Sequence, residues 1–159
     1  MNRFREYRND KAGYGMKIST RGKYGLRAMI DLALYSEQEA VSISSIAFRQ
    51  NISESYLEQL MAKLKKAGLV RSTRGAQGGY RLVRPPAEIT VGEVLRALEG
   101  GLNLVDCLLE EDSCGKSCAC PSRIVWMKIR DGLNNIVDGI SLQDMIDEYA
   151  ALKAQGEEQ

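Results

Sequence analysis

The segment from Ser42 to Val83 constrains the fold more than any other part of this chain, because its periodicity switches from helical to strand-like within a few residues. Ser42 is placed to cap a short helix carrying Ile46 and Ala47, and a break follows at Asn51-Ile52. Ser53 is placed to cap a second helix with the apolar stripe Leu57, Leu60, Met61 and Leu64. That helix ends at Gly68, just after the basic turn Lys63, Lys65, Lys66. Two strand-like pieces, Leu69 to Thr73 and Tyr80 to Val83, flank Arg74-Gly75-Ala76-Gln77-Gly78-Gly79 and read as a hairpin with a flexible tip. Upstream, Leu26, Ile30, Ala33 and Leu34 recur at helical spacing within Tyr24 to Tyr35, which predicts an earlier amphipathic helix.

Three short helices followed by a two-stranded hairpin make the layout of a winged helix-turn-helix. The expected fold is mainly α with a small β wing, extended by a long dimerisation helix. The third helix is sized for a DNA major groove. With its apolar stripe facing inward, Ser53, Ser55, Tyr56, Glu58, Gln59 and Lys63 are left for other faces. Short hydroxyls suit phosphate, Gln59 suits an adenine edge, Glu58 suits cytosine N4, and Arg74 on the wing suits a narrow minor groove. Each residue alone is weak evidence, since an exposed Gln or Glu on a helix is usually just solvated, and a winged helix also serves protein contacts in some proteins. Charge adds weight to the combination. The net charge of +1 hides 16 Lys and Arg against 7 Asp and Glu in residues 1–84, and 6 against 14 in residues 85–159. A balance of +9 suits a polyanion, whereas the −8 of the remainder would be repelled by one.

Beyond the hairpin, Pro85-Pro86 closes the unit, and Thr90 to Glu93 has the capping-box pattern for a fourth helix through Val91, Val94, Leu95 and Leu98. Gly100-Gly101 stops it, and a loop holding all four cysteines follows. Pro121 then starts a long helix on which Trp126, Ile129, Leu133, Ile136 and Ile140 recur at spacings of 3, 4, 3 and 4. Such a seam suits a second copy of the chain better than the limited surface of a small domain, so a homodimer is expected. Ser141 to Asp144 is placed to cap a last helix ending before a polar tail. The expected organisation is an extension at 1–15, a winged helix-turn-helix at 16–84, a linker helix with cysteine loop at 85–120, the dimerisation and C-terminal helices at 121–154, and a tail at 155–159. Residues 1–15 contain no apolar run that could act as a signal peptide or membrane span, which predicts a cytoplasmic protein with no membrane partner.

Cys107, Cys114, Cys118 and Cys120 lie within fourteen residues of a chain with no other cysteine. A cytosolic setting disfavours structural disulfides and leaves a metal site or a thiol switch. The spacings lack the paired C-x2-C knuckles usual for zinc. Soft thiolates on a loose loop also suit an iron-sulfur cluster, and spacing alone leaves iron-sulfur and zinc both open.

The runs Ile18-Ser19-Thr20-Arg21-Gly22-Lys23-Tyr24-Gly25, Ile52-Ser53-Glu54-Ser55-Tyr56-Leu57-Glu58-Gln59-Leu60 and Arg74-Gly75-Ala76-Gln77-Gly78-Gly79-Tyr80-Arg81-Leu82 closely resemble the IscR/NsrR-type (Rrf) family of winged-helix transcription regulators. The likeness extends through Ile89 to Val94 and the tryptophan helix, and is greatest to the iron-sulfur cluster assembly regulator type. It implies a homodimer on a double-stranded DNA operator, with base reading around Ser53, Ser55, Tyr56, Glu58 and Gln59 and with Arg74 in the wing. It also implies an iron-sulfur cluster, 2Fe-2S rather than 4Fe-4S, on Cys107, Cys114 and Cys120. Two positions depart from the family pattern. Arg123 stands where the cluster-assembly type has a ligating histidine, and Lys23 where the nitric-oxide-sensing type has a ligating aspartate, which weakens a nitric oxide role. Cys118, Asp112 or an exchangeable small molecule are the candidates for the fourth ligand.

The functional expectation is a regulator, of repressor type, that senses cluster status and controls iron-sulfur assembly or iron homeostasis genes. A cluster-free zinc or thiol-switch regulator of cysteine and sulfur metabolism is the alternative. A small electron carrier would not need a basic helix-wing unit, and no acid-base constellation points to an enzyme.

Overall fold

In a computed structural model describing residues 18–36, 39–75, 78–102, 108 and 120–156, the first helix begins earlier than the apolar spacing alone predicts. Ser19 caps α1 (Thr20–Tyr35) by accepting from the Arg21 and Gly22 amides. Its buried face is Gly22, Gly25, Ala28, Met29, Leu32 and Ala33, while Leu26, Ile30 and Leu34 lie half-buried on its flanks. The expected stripe is therefore rotated. The two glycines let another helix, α4 (Val91–Glu99), lie directly on α1, because a Cβ at Gly25 would run into Leu98 and one at Gly22 would meet Glu99. Glu99 uses this close approach to accept from the Ser19 hydroxyl and, at 2.9 Å, from the Gly22 amide.

The capping serines act as their positions predict. Ser42 accepts from the Ser45 amide at the start of α2 (Ile43–Gln50), and Ser53 from the Tyr56 amide at the start of α3 (Glu54–Lys66). Between them Asn51 adopts a left-handed conformation, φ 52°, which turns the chain sharply enough for α3 to cross α2. Leu57, Leu60, Met61 and Leu64 of α3 are all essentially fully buried. The strands β1 (Val70–Thr73) and β2 (Gly79–Leu82) pair antiparallel, with Val70 opposite Leu82 and Thr73 opposite Gly79. Val41 adds an isolated antiparallel bridge to β2 through reciprocal backbone hydrogen bonds with Tyr80 of 2.9 and 2.8 Å. Gly79 is the residue that permits this, since a Cβ there would strike the Val41 backbone. The glycines of the hairpin thus include one set by packing, and not only by flexibility.

Pro86–Glu88 forms one 3-10 turn, and the capping box of α4 is complete: Thr90 Oγ1 accepts from the Glu93 amide and Glu93 accepts from the Thr90 amide. Burial alone would raise the Glu93 carboxyl, but the Thr90 amide and the Arg84 guanidinium outweigh it and hold the group below the ordinary carboxylate range. The long helix α5 (Pro121–Asp138) packs on α4 through Val91, Leu95 and Val137. Arg96 of α4 also reaches Asp138 and Asn134 of α5. The last helix, α6 (Leu142–Gly156), is capped by Ser141 and Asp144 and continues slightly into the expected polar tail. Ile89, Val94, Leu98 and Leu142 belong to the same buried cluster as Met29, Leu32, Leu57 and Leu64, so the core runs past residue 84. Among the described residues no helix is long and apolar enough to cross a membrane.

Candidate nucleic-acid interface and cysteine segment

With the apolar face of α3 committed to the core, its opposite face is left to solvent. Ser53, Ser55, Glu58, Gln59 and Lys63 are exposed there. The Ser53 hydroxyl already serves as a helix cap, whereas no described partner holds the Gln59 amide or the Glu58 carboxylate. Tyr56 is half-buried and sits edge-on to Tyr24 of α1, with ring centroids 6.2 Å apart at 88°. Arg27 stacks on Tyr24 at 5.4 Å and donates to Gln50 Oε1 at 3.0 Å, tying α1 to the end of α2. These contacts fix the exposed face of α3 relative to the rest of the unit. The sequence reading did not find Tyr24, Arg27 and Gln50 as supports, because nothing in their spacing says that they converge.

Lys65 at the end of α3 donates to Ser72 Oγ in β1 at 2.6 Å, joining the helix to the wing. Arg74 follows β1 and is exposed, next to Gly75 at φ 118°, a conformation that favours glycine. Ala76 and Gln77 of the wing tip lie outside the described residues. Arg21, Lys63 and Lys66 line a cleft where the start of α1 meets the ends of α3 and α4, and add to the positive field of this half of the molecule.

Of the four cysteines, Cys107, Cys114 and Cys118 lie outside the described residues, as does Asp112. Cys120 is the N-cap of α5, with its Sγ 3.0 Å from the Ser122 hydroxyl. That hydrogen bond, then the amides of Arg123 and Ser122, hold the thiol below its ordinary range, and the Arg123 charge acts in the same direction. The thiolate is the form that binds a metal, so the chemistry at Cys120 fits a thiolate-held cluster. Among the described residues no three His, Cys, Asp or Glu side chains converge on one point.

The expected seam on α5 divides in two. Leu133 and Ile140 pack half-buried against the Val91, Leu95 and Val137 cluster of their own chain, and Trp126 is half-buried. Ile129 and Ile136 face solvent at 41% and 64% exposure, in line with exposed Val125. The reason is angular: residues 133 and 137 of α5 turn toward α4, whereas 125, 129, 132 and 136 follow a neighbouring row.

Comparison with known proteins agrees with this architecture. The Rrf2 family, described as iron-dependent transcriptional regulator, matches residues 18–148. The HTH-type transcriptional regulator CymR of Bacillus subtilis (strain 168) is 44% identical over 130 residues, covering 82% of this chain and 89% of the relative. IscR of Aliivibrio salmonicida is 40% identical over 131 residues, covering 82% and 77%. Among solved structures, T. potens IscR superposes with a TM-score of 0.70 at 43% identity, covering 85% of this chain and 89% of that one. The global cysteine regulator CymR of B. subtilis gives 0.69 at 41% identity, covering 83% and 97%.

Proposed function

This chain belongs to the Rrf2 family of transcriptional regulators, which are not enzymes, and on that premise we propose that it is a dimeric operator-binding repressor controlled by an iron-sulfur cluster. The observation that carries the cluster is the set of four cysteines from Cys107 to Cys120, the last of them at the start of α5 with its thiol held below its ordinary range by the Ser122 hydroxyl. Cys107, Cys114 and Cys120 would hold it, with Cys118 as the candidate fourth ligand. When bound, the cluster supplies a redox- and iron-responsive cross-link of 2Fe-2S type. The regulated genes are then those of cluster assembly or iron homeostasis.

A second reading is favoured by one observation, the 44% identity to CymR, the global cysteine regulator of B. subtilis. In that reading the same helix and wing serve cysteine and sulfur metabolism, with the cysteines as a zinc or thiol switch. The visible spectrum of anaerobically purified protein, with iron and acid-labile sulfide analysis, separates the two. Charge-transfer bands with iron and sulfide in equal amounts are expected. Colourless protein holding zinc or no metal under those conditions would leave the cysteine-metabolism reading standing.

The residues of α3 and the wing do the reading. Gln59 is exposed and able to pair with a base edge, and Arg74 is placed for a narrow minor groove. Gln59→Ala is expected to relax specificity at one position, losing about 1–3 kcal/mol for the preferred base. Arg74→Ala should weaken binding to every fragment tested and flatten the salt dependence. Mobility-shift titrations in which both variants match wild type would remove these assignments.

A further inference from the structure

A cleft of about 590 Å³ opens on the other side of the wing from its tip. Its walls come from four parts of the fold: Arg71, Arg81 and Leu82 of the strands, Arg84, Pro85 and Pro86 of the connection to α4, Ala33, Leu34 and Ser36 at the end of α1, and Gln143 and Ile146 of α6. The volume falls within the range of about 300–1,000 Å³ usual for small-molecule sites. Among these described residues three carry a positive charge and none a negative one.

Arg71 and Arg81 stand directly opposite each other in the hairpin register. Like charges at directly opposed positions destabilise a strand pair, so an arrangement of this kind is relieved by an anion. Arg84 is already anchored, donating to Glu93 Oε1 at 2.7 Å and to the Glu88 carbonyl at 2.9 Å, so its guanidinium is fixed at the cleft while its charge is shared with Glu93. Arg81 has interactions of its own. Arg71 is different: it is exposed and makes no ion pair or hydrogen bond with any described residue. The remaining wall is largely apolar, with Ala33, Leu34, Leu82, Pro85, Pro86 and Ile146, which suits a carbon skeleton better than a bare inorganic ion.

We propose that this cleft binds a small organic anion, a carboxylate or phosphate ester, with Arg71 as its principal charge partner, the ion-paired Arg84 guanidinium as a fixed second donor and Gln143, whose Nε2 also donates to Asp147 Oδ1 at 2.9 Å, offering its second amide hydrogen from α6. None of the residues assigned to base reading or to the cluster takes part. The site is therefore independent of what the cysteines hold. A ligand there would touch the wing and α6 together.

The test uses the full-length protein and citrate as the probe, with chloride adjusted so that ionic strength is constant. Titration followed by NMR of the arginine Nε signals should show saturable shifts at Arg71 and Arg84. Arg71→Gln should weaken citrate binding at least tenfold. Gln143→Glu, which puts a carboxylate into the cleft, should weaken it as strongly while leaving the far-ultraviolet spectrum unchanged. Inorganic phosphate is expected to shift the same signals at higher concentration. Three outcomes overturn the proposal. One is no saturable response to citrate or phosphate. Another is saturable citrate binding that Arg71→Gln leaves unchanged, which would put the anion elsewhere on the molecule. The third is a wild-type protein blind to both anions while Arg71→Gln lowers affinity for all DNA fragments and reduces the salt slope by about one, which would make Arg71 a phosphate contact to DNA.

Discussion

Asp31 carries a charge into the interior of α1, its side chain only 2% exposed, and three donors account for it. Arg49 gives two of them, Nε at 2.8 Å and Nη2 at 2.7 Å, and Gln50 Nε2 gives a third at 2.9 Å. The bidentate hydrogen bond to Asp31 raises the already high pKa of Arg49, which also stacks on Tyr35 at 4.3 Å. The two ends of this pair are unequal. Arg49 is 31% exposed and finds water if its partner is lost, whereas Asp31 is 2% exposed and depends on its protein donors. Arg49→Ala should therefore destabilise the fold by about 3–5 kcal/mol, the range for an uncompensated buried charge. Asp31→Asn should cost less, about 1–3 kcal/mol, because it removes the buried charge along with the pair. Urea denaturation of the two variants decides the matter, and an equal or reversed order would mean that Asp31 is not as sequestered as its position indicates.

Among the elements, α5 carries the clearest expectation. Leu133 and Ile140 face α4, so polar substitutions there would damage the monomer before they touched any interface. Ile129 and Ile136 are exposed, with Gly132 between them opening the surface: a Cβ there would meet nothing within 4 Å. A partner helix can approach closely along that row. Ile129→Asp with Ile136→Asp is expected to give a folded monomer that binds operator weakly, since a dimer is what spans two half-sites. Sedimentation of an intact dimer with an unchanged circular dichroism spectrum would exclude this row as the seam. The same helix shows what was legible in the sequence. Local devices could be read directly: the caps Ser42, Ser53 and Thr90, the Thr90–Glu93 box, the α3 stripe and the two strands all depend on neighbours within a few residues. What depends on distant partners could not. The heptad-like spacing of α5 could not say which part of it α4 covers, and the apolar spacing of α1 missed a buried face built on Gly22 and Gly25. Gly79 looked like part of a flexible tip because Val41, the backbone it must clear, is far away in sequence. In the candidate site, the exposure of Ser55, Glu58 and Gln59 followed from the inward stripe, whereas the Tyr24–Tyr56 and Arg27–Gln50 supports did not.

For the whole molecule, α4 is the piece that touches both α1 and α5. One face of it lies on α1 at Gly25, the other is clamped to α5 by Arg96, Asp138 and Asn134, and its end delivers Glu99 to the start of α1. The cysteine segment leaves from the end of α4 and rejoins the fold at Cys120, the cap of α5. A cross-link among those cysteines would fix the end of α4 relative to the start of α5, and its loss would free the segment between them. Glu99 sits at the point where such a change reaches α1, and α1 holds α3 through Tyr24. Holo and apo protein are therefore expected to differ in operator affinity or preference by about 1–3 kcal/mol, the usual size of an allosteric coupling. Cys107→Ala, Cys114→Ala and Cys120→Ala should each lose the cluster, and Cys118→Ala should retain it with lower stability. Glu99→Gln should keep the cluster but shrink the difference between holo and apo binding, because the neutral amide makes a weaker cap at the α1 start. Iron content and operator titrations without oxygen, on wild type and these five variants, provide the measurement. Full cluster occupancy in the Cys107, Cys114 and Cys120 variants would defeat the ligand assignment. An unchanged holo-to-apo difference in Glu99→Gln would show that the signal bypasses α4.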